Sequence, residues 1–562
     1  MSRVLGVSAL FHDAAAALCI DGEIVAAVQE ERLSRKKNDP SLPFAAARAC
    51  LSIAGLRPTD LDAVAYYEDP QRRATRATIS CFRNFPRAVL QFPAVMASLP
   101  RTLFAPMRLA EGLGVDPARV GTWSHHECHA ACGFYASGYP EAAVLIADGV
   151  GEATSSSLWD ADARGLRLLH ETPFPHSLGL FYAAVTAWLG FEVNEGEYKV
   201  MGLAGFGSPR HADTFRRWVQ VHEGRVSIER AAFAYETETR FGYGREFVRV
   251  LGPPRPPGAP WDLSRAEDRE RADVAASAQL VLEECLLSLA RNALERTGRR
   301  ALVVAGGVAL NAKAIGVLHD ADIAERIYVP PGAGDAGGAL GAAWLAGLRA
   351  GDVPRALRSP FLGPAIEEAR AHALATRLGL ECLAEDPVLL TAAAIARGQI
   401  VAVARGRLEL GPRALGHRSL LAPAGPRSVR ELLNRVVKER EPFRPFAPVI
   451  RTRDWSRFFL GSPGDGTALM TTVAWVRDPA DPALGAVVHV DGTARVQTVD
   501  EGFLADVLDA LEARGALPIL LNTSLNGRGE PICAGAEDAL AFFRAHRVDV
   551  LVLGDRGYRK AQ

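Results

Sequence analysis

The sequence predicts an α/β protein in two parts, a duplicated N-terminal half and a separate C-terminal α/β unit. Three observations carry that expectation. One pattern occurs twice: Arg3-Val4-Leu5-Gly6-Val7 reads as a strand, Leu10-Phe11-His12-Asp13 as a polar loop, residues 14–20 as a second strand, Asp21-Gly22 as a hairpin turn and residues 23–28 as its partner. Residues 142–147, the loop Asp148-Gly149-Val150-Gly151, and residues 154–159, 160–165 and 166–170 repeat it. A duplicated unit followed each time by helical sequence suggests two halves facing a cleft, with His12 and Asp148 in equivalent loops. Second, residues 351–368 carry Pro354, Pro360 and Pro364 without periodicity and mark a boundary, giving domains 1–355 and 356–562. Third, the charge changes beyond it: residues 405–444 hold ten Lys+Arg against four acids, a local +6.

The bulk numbers exclude several classes. A chain of 562 residues exceeds one core, and a net charge of −1 offers no global attraction to nucleic acid or anionic membrane. The apolar N-terminal stretch is broken by His12 and Asp13, so neither a signal-peptide core nor a membrane span is expected, and the protein reads as cytoplasmic. Eight cysteines without any Cys-x-x-Cys argue against a zinc ribbon and a disulfide framework.

Between the copies, residues 59–119 read as mostly helical and loop-like, with a basic-aromatic patch at 72–87 that is either solvated surface or part of an acceptor pocket. Next comes Ser124-His125-His126-Glu127-Cys128-His129, which puts three of thirteen histidines into five positions. Ser124 and Glu127 have capping-box spacing and Gly138 offers a stop, predicting a helix over 125–137. His125 and His129 then share one face and can close on a single metal ion. A capped helix with histidines near its start is the plainer alternative. Residues 222–271, rich in proline, arginine and glutamate, read as an irregular insertion, followed by a helix to about 297 and a strand ending at Gly306-Gly307, with Asn311 opening the next helix.

Residues 330–338 contain a formal G-x-G-x-x-G match, but no regular strand is expected after the following helix, and Asp335 would repel dinucleotide phosphates. A glycine-rich turn that starts a helix against the cleft fits better. In the C-terminal part, Gly411-Pro412-Arg413-Ala414-Leu415-Gly416-His417-Arg418 frames two arginines whose forks suit phosphate oxygens. No Walker G-x-x-x-x-G-K-[ST] is present, so phosphates there are not held by a P-loop. Asn522-Thr523-Ser524-Leu525-Asn526 ends a buried strand in groups that can hydrogen-bond a carbamoyl or phosphate group.

Taken in order, His12-Asp13, the His125/His129 pair, Asp148, Gly306-Gly307, Gly334-Asp335, the Arg413 stretch and Asn522-Thr523-Ser524 resemble the NodU/CmcH-type O-carbamoyltransferases over essentially the whole chain. The resemblance implies an N-terminal domain of the actin and sugar-kinase (ASKHA) fold, like the tRNA threonylcarbamoyl transferases, and a YrdC-like C-terminal domain. It implies that carbamoyl phosphate and ATP form carbamoyl adenylate with loss of pyrophosphate, and that the carbamoyl group passes to a small-molecule hydroxyl acceptor of secondary-metabolite type, as in antibiotic biosynthesis. The implied metal ligands are His125, His129, Asp148 and Asp335, for Fe(II), with Mn(II) or Zn(II) also suited to the donors; Mg would accompany ATP. His12 matches the general base and Lys37, or its neighbour Lys36, a cleft lysine. Gly306, Gly307, Asn311 and Lys199 match nucleotide contacts. Arg413, Arg418, Lys438, Arg444, Ser524 and Asn526 match the carbamoyl-phosphate pocket. A homodimer is compatible with the resemblance, and no nucleic-acid or membrane partner is expected.

Two other functions stay open on the residues alone. A sugar-kinase-like phosphotransferase follows from the duplication but leaves the histidine pair without a job. A non-enzymatic nucleotide- or iron-binding module is the other. A metalloprotease is excluded because His126-Glu127 is followed by Ala130 where H-E-x-x-H needs histidine. The acceptor pocket is expected around residues 82–92 or 174–182.

Overall fold

The computed structural model describes residues 2–89, 92–237, 241–425 and 427–561. Two compact units divide the chain: Met1–Glu30 with Asn38–Arg358, and Glu31–Lys37 with Ser359–Gln562. The second unit is therefore discontinuous, unlike the single cut after residue 355. Within it, Arg32 donates to the Gly411 carbonyl at 2.8 Å, and Arg35 to those of Ile532 and Pro531 at 2.7 and 3.0 Å. Lys37, expected among the N-terminal cleft residues, belongs to this segment.

The first unit holds two five-stranded sheets. Strands β1 (Arg3–Ser8), β2 (Ala15–Ile20), β3 (Glu23–Gln29), β4 (Ala63–Tyr66) and β5 (Val120–Thr122) lie in the order β3-β2-β1-β4-β5. In the second sheet, β6 (Ala142–Ala147), β7 (Thr154–Asp162) and β8 (Gly165–Pro173) join two later strands. A separate hairpin, β9 (Val219–His222) and β10 (Arg225–Ile228), precedes β11 (Ala301–Ala305) and β12 (Arg326–Tyr328), and the order is β12-β11-β6-β7-β8. In each sheet the first strand is antiparallel to its hairpin and parallel to the later arrivals. The central strand β6 is buried along its whole length, as a strand covered on both faces must be. The same property hides β4 from sequence reasoning: four residues, three of them buried, show no alternation.

Four helices position the site: α1 (Pro70–Arg83), α2 (His125–Ser137), α3 (Ala266–Thr297) and α4 (Asp335–Arg349). Helix α4 begins with Asp335-Ala336-Gly337-Gly338-Ala339, and its small residues let it press against both β1 and α2. A Cβ on Gly6 would stand 1.9 Å from the Ala339 carbonyl oxygen, and one on Gly341 1.8 Å from that of Cys128. No side chain fits at either contact without moving backbone, so glycine there sets the distance between α4 and its neighbours. The 222–271 stretch is more ordered than expected. It contains β10 and a helix, Arg245–Leu251, whose Phe247 ring lies 6.0 Å from Phe215, itself 5.6 Å from Phe181.

The second unit is built on one mixed sheet of eight strands. From edge to edge they are Glu381–Leu383, Arg556–Arg559, Val550–Leu553, Val401–Ala404, Arg418–Pro423, Ile519–Ser524, Ala447–Arg451 and Gln497–Val499. Helices cover both faces, and the strand Phe361–Ala365 lies inside the stretch that reads as a linker. Among the described residues no helix is long and apolar enough to cross a membrane.

Candidate functional site

Helix α2 starts where the sequence predicts, but not for the predicted reason. The Ser124 side chain makes no capping hydrogen bond. Glu152, four residues beyond Asp148, caps in its place: its Oε1 accepts from the His125 backbone N–H at 2.8 Å and from that of Asp69 at 2.9 Å. A carboxylate at this position also complements the positive end of the helix. Gly138, in the left-handed region at φ 66°, ends the helix.

His125 and His129 project from one face of α2, with their Nε2 atoms 3.1 Å apart. Asp148, from the loop after β6, places Oδ2 3.1 Å from His125 Nε2 and 3.8 Å from His129 Nε2. Asp335, the first residue of α4, places Oδ1 3.8 Å from His125 and 3.6 Å from His129. All four side chains are buried, and one donor atom from each lies within 4.8 Å of the others. The donor set fits a divalent cation. Two imidazole nitrogens and two carboxylates converge out of water, and such groups need a cation or shared protons to offset their desolvation. The carboxylates are themselves oriented. Asp148 Oδ1 accepts from the Gly307 N–H at 3.0 Å and Asp335 Oδ2 from the Tyr67 hydroxyl at 3.2 Å.

The electrostatics follow from this packing. Burial opposes charge on His125, yet its hydrogen bond to Asp148 and the nearby Asp335 carboxylate raise it to about 9. Against the same burial, the imidazoles hold Asp148 and Asp335 below the usual carboxylate range. His126 contributes no donor to the set. Its Nδ1 lies 2.8 Å from the Ser157 hydroxyl, and burial together with the charge of His125 lowers it to about 3. His12 corrects an expectation. Burial again opposes charge, but Asp13, 3.1 Å away, and the carboxylates Asp335 and Asp148 raise it to about 10. These carboxylates favour the protonated imidazole, whereas a cation held by Asp148 and Asp335 would act in the opposite direction.

The turn after β11 lies against the same site. Gly306 has φ 88° and a Cβ there would meet the Ala147 carbonyl at 2.4 Å, so the turn requires glycine. Asn311 is engaged in the fold: its Oδ1 accepts from the Ala314 N–H at 3.0 Å, and its amide pairs with Gln279. Lys199 sits 5.6 Å over the Phe191 ring.

In the second unit the Arg413 loop wraps one buried carboxylate. Glu409 Oε1 accepts the backbone N–H groups of Leu415, His417 and Arg418 at 2.9 to 3.0 Å. The amides of Gln497 and Asn522 donate to the Leu415 and Ala414 carbonyls, both at 3.0 Å. Arg413 and Arg444 both bear on Arg495: burial first, and then their charges, hold it far below the usual guanidinium range, and its Nε is buried without a hydrogen-bond partner among the described residues. Lys438 donates to Ser524 and Asn526, at 2.8 Å to the Asn526 Oδ1, and burial with the charges of Arg440 and Arg444 depresses it. Arg413 and Arg444 thus lie close enough to Arg495 to depress it, and Lys438 lies beside Ser524 and Asn526 within reach of the charge of Arg444. Arg418 is engaged otherwise. Its guanidinium donates only to backbone carbonyls, those of Ala534, Arg405, His417, Pro364 and Gly406, which occupies every donor it has.

A family model described as Carbamoyltransferase N-terminus matches residues 3–344, and one described as Carbamoyltransferase C-terminus matches residues 392–560. The chain belongs to the carbamoyltransferase family. This carbamoyltransferase is 36% identical to the nodulation protein NolNO of Sinorhizobium fredii over 97% of its own length and 78% of that protein. It is 36% identical to the nodulation protein NolO of Bradyrhizobium diazoefficiens over 78% of this chain and 79% of that one. An uncharacterised Synechocystis protein, sll1178, is also 36% identical, over 98% and 96% respectively. Three polar residues of the carbamoyltransferase escape sequence reasoning. Glu152 could have been found from its place four residues after Asp148; Tyr67 and Arg495 sit in stretches without any distinguishing pattern.

Proposed function

We propose that this carbamoyltransferase makes its own activated donor. Residues 356–562, with a YrdC-like arrangement, convert carbamoyl phosphate and ATP into carbamoyl adenylate. Residues 1–355, an actin-type duplicated domain, then transfer the carbamoyl group to a hydroxyl of a small molecule. The observation that carries this reading is the presence in one chain of a buried two-imidazole, two-carboxylate donor set and, in the second unit, a buried Arg495 that feels the charges of Arg413 and Arg444. A sugar-kinase-like phosphotransferase would leave the paired imidazoles without a role.

For the first step to balance, water releases inorganic phosphate from carbamoyl phosphate. The resulting carbamate oxygen attacks the α-phosphorus of ATP, and pyrophosphate leaves. The guanidinium forks bind the incoming phosphate, and the Ser524 and Asn526 side chains, 2.7 Å apart, orient the carbamoyl end. In the second step the acceptor oxygen bonds to the carbamoyl carbon, the bond to the adenylate oxygen breaks, and AMP departs. His125, His129, Asp148 and Asp335 would hold a divalent ion, Fe(II) by the family resemblance with Mn(II) or Zn(II) also suited to the donors, and it would supply Lewis-acid neutralisation of the adenylate phosphate. The Gly306-Gly307 turn lets backbone approach the nucleotide closely. His12, beside Asp13, would accept the proton of the acceptor hydroxyl, a role that a cation offsetting Asp148 and Asp335 would favour. Incubation with ATP and carbamoyl phosphate should yield AMP, pyrophosphate and phosphate; release of ADP in their place overturns the reading. An Arg413→Ala, Arg444→Ala double variant should stop AMP formation.

A further inference from the structure

Helix α1 carries a row of arginines that the reading above leaves unused. Asp69 caps the helix, its Oδ1 accepting from the backbone N–H groups of Gln71 and Arg72 at 2.8 and 3.2 Å. From there Arg72, Arg76 and Arg83 follow at helical spacing on one face and line a cavity of about 510 Å³ together with Thr75, Ala153 and Phe174. That volume suits a small organic ligand. The Arg76 guanidinium lies 5.0 Å over the Phe174 ring, and its Nε is buried without a hydrogen-bond partner among the described residues.

The acids at the cavity are already engaged. Asp69 is spent on the helix cap, and Glu236 is taken by Arg230 at 2.5 Å and by the Asn84 amide at 3.1 Å. The neighbouring Arg73 pairs with Glu68 at 2.7 Å. Three like charges along one helix face repel one another, and a buried guanidinium donor without an acceptor is costly. Burial, followed by the charge of Arg73, lowers Arg76 to about 10, which an incoming anion would reverse. The cavity also adjoins the metal-site helix. Ala153 on its wall follows Glu152, whose carboxylate joins the N–H of Asp69 on the rim to that of His125 at the donor set.

We infer that this cavity is the acceptor subsite, and that the acceptor is a phosphorylated hydroxyl compound whose phosphoryl oxygens are held by Arg72, Arg76 and Arg83. The inference rests on the carbamoyl-transfer reading. AMP and pyrophosphate formation by the wild-type chain tests that reading alone, so the two can fail separately.

Calorimetric titration of the full chain tests it, with carbamoyl phosphate and a non-hydrolysable ATP analogue saturating their own sites. The probes are glucose, glucose 6-phosphate and UDP-glucose. At least one phosphorylated probe should bind about tenfold or more tightly than glucose, with an affinity that falls as salt rises. Binding of glucose 6-phosphate alone identifies a terminal phosphoryl group; binding of UDP-glucose alone identifies a diphosphate link. Arg76→Gln should remove about tenfold or more of that affinity, with Arg76→Lys restoring part of it. Arg72 is exposed, so Arg72→Gln should fold normally and weaken binding by a smaller factor. If neither phosphorylated probe outbinds glucose, or if Arg72→Gln and Arg76→Gln bind as the wild type does, the assignment is overturned.

Discussion

The loop between β1 and β2 and the loop between β6 and β7 occupy the same place in two sheets of identical strand order, yet they bring different side chains, His12 and Asp148, to the site. The first offers His12, raised to about 10 and only partly covered, on a backbone that turns through positive φ at Leu10 and Asp13. The second offers Asp148, buried and held far below its ordinary range, with Glu152 close behind it. Repetition fixes where a loop arrives. The chemistry placed there is free to diverge, and here one loop brings an imidazole and the other a carboxylate.

The largest expected effect breaks the second loop. Asp148→Ala removes a ligand and strands the Gly307 N–H, so bound metal and carbamoyl transfer should both be lost, measured as metal content and product mass. Breaking the first loop should spare the metal. His12→Gln should slow transfer by about 10²- to 10⁴-fold while metal content stays at the wild-type level; loss of metal in this variant would mean that the two loops do not have separate roles.

The contrast is sharpened by pH. In chelator-treated protein His125 titrates at about 9 when folded against about 6.5 when unfolded. Its stabilising contribution is complete below the unfolded value and is lost as pH rises through the folded one. Thermal unfolding of the metal-free protein should therefore weaken between about pH 6.5 and about 9, an effect on the order of a few kcal/mol. Metal affinity should rise over the same range, because binding displaces protons from the ligands. A flat stability profile would show that the carboxylates do not hold the imidazolium. The smallest effect is expected for Glu152→Gln. Weakening the cap of α2 should cost about 1 kcal/mol in unfolding free energy, measured by denaturant titration.

Much of this was legible because it is local. The hairpin of each repeat shows in its turn residues, and the shared face of His125 and His129 is fixed by helical periodicity alone. Where local signals misled, a distant group had taken over. The Ser124-Glu127 spacing is present, but Glu152 caps the helix. Arg418 stands in the same glycine-framed turn as Arg413, and nothing in the sequence distinguishes the half-buried guanidinium of Arg413 from one enclosed by five carbonyls.

The sequence by itself determined the duplicated strand pattern, the helix that carries the histidine pair and the basic character of the second unit, since each depends on neighbours a few residues apart. The resemblance names the carboxylates that meet the histidines, but only the tertiary structure brings them there. Asp148 arrives through the order of a sheet whose members come from residues 142–328, and Asp335 through backbone contacts at Gly6 and Gly341 that no side chain could share. For His12 the two levels combine: its neighbour Asp13 does most to favour the protonated imidazole, and Asp335 and Asp148, more than a hundred residues away, add to it only through the fold.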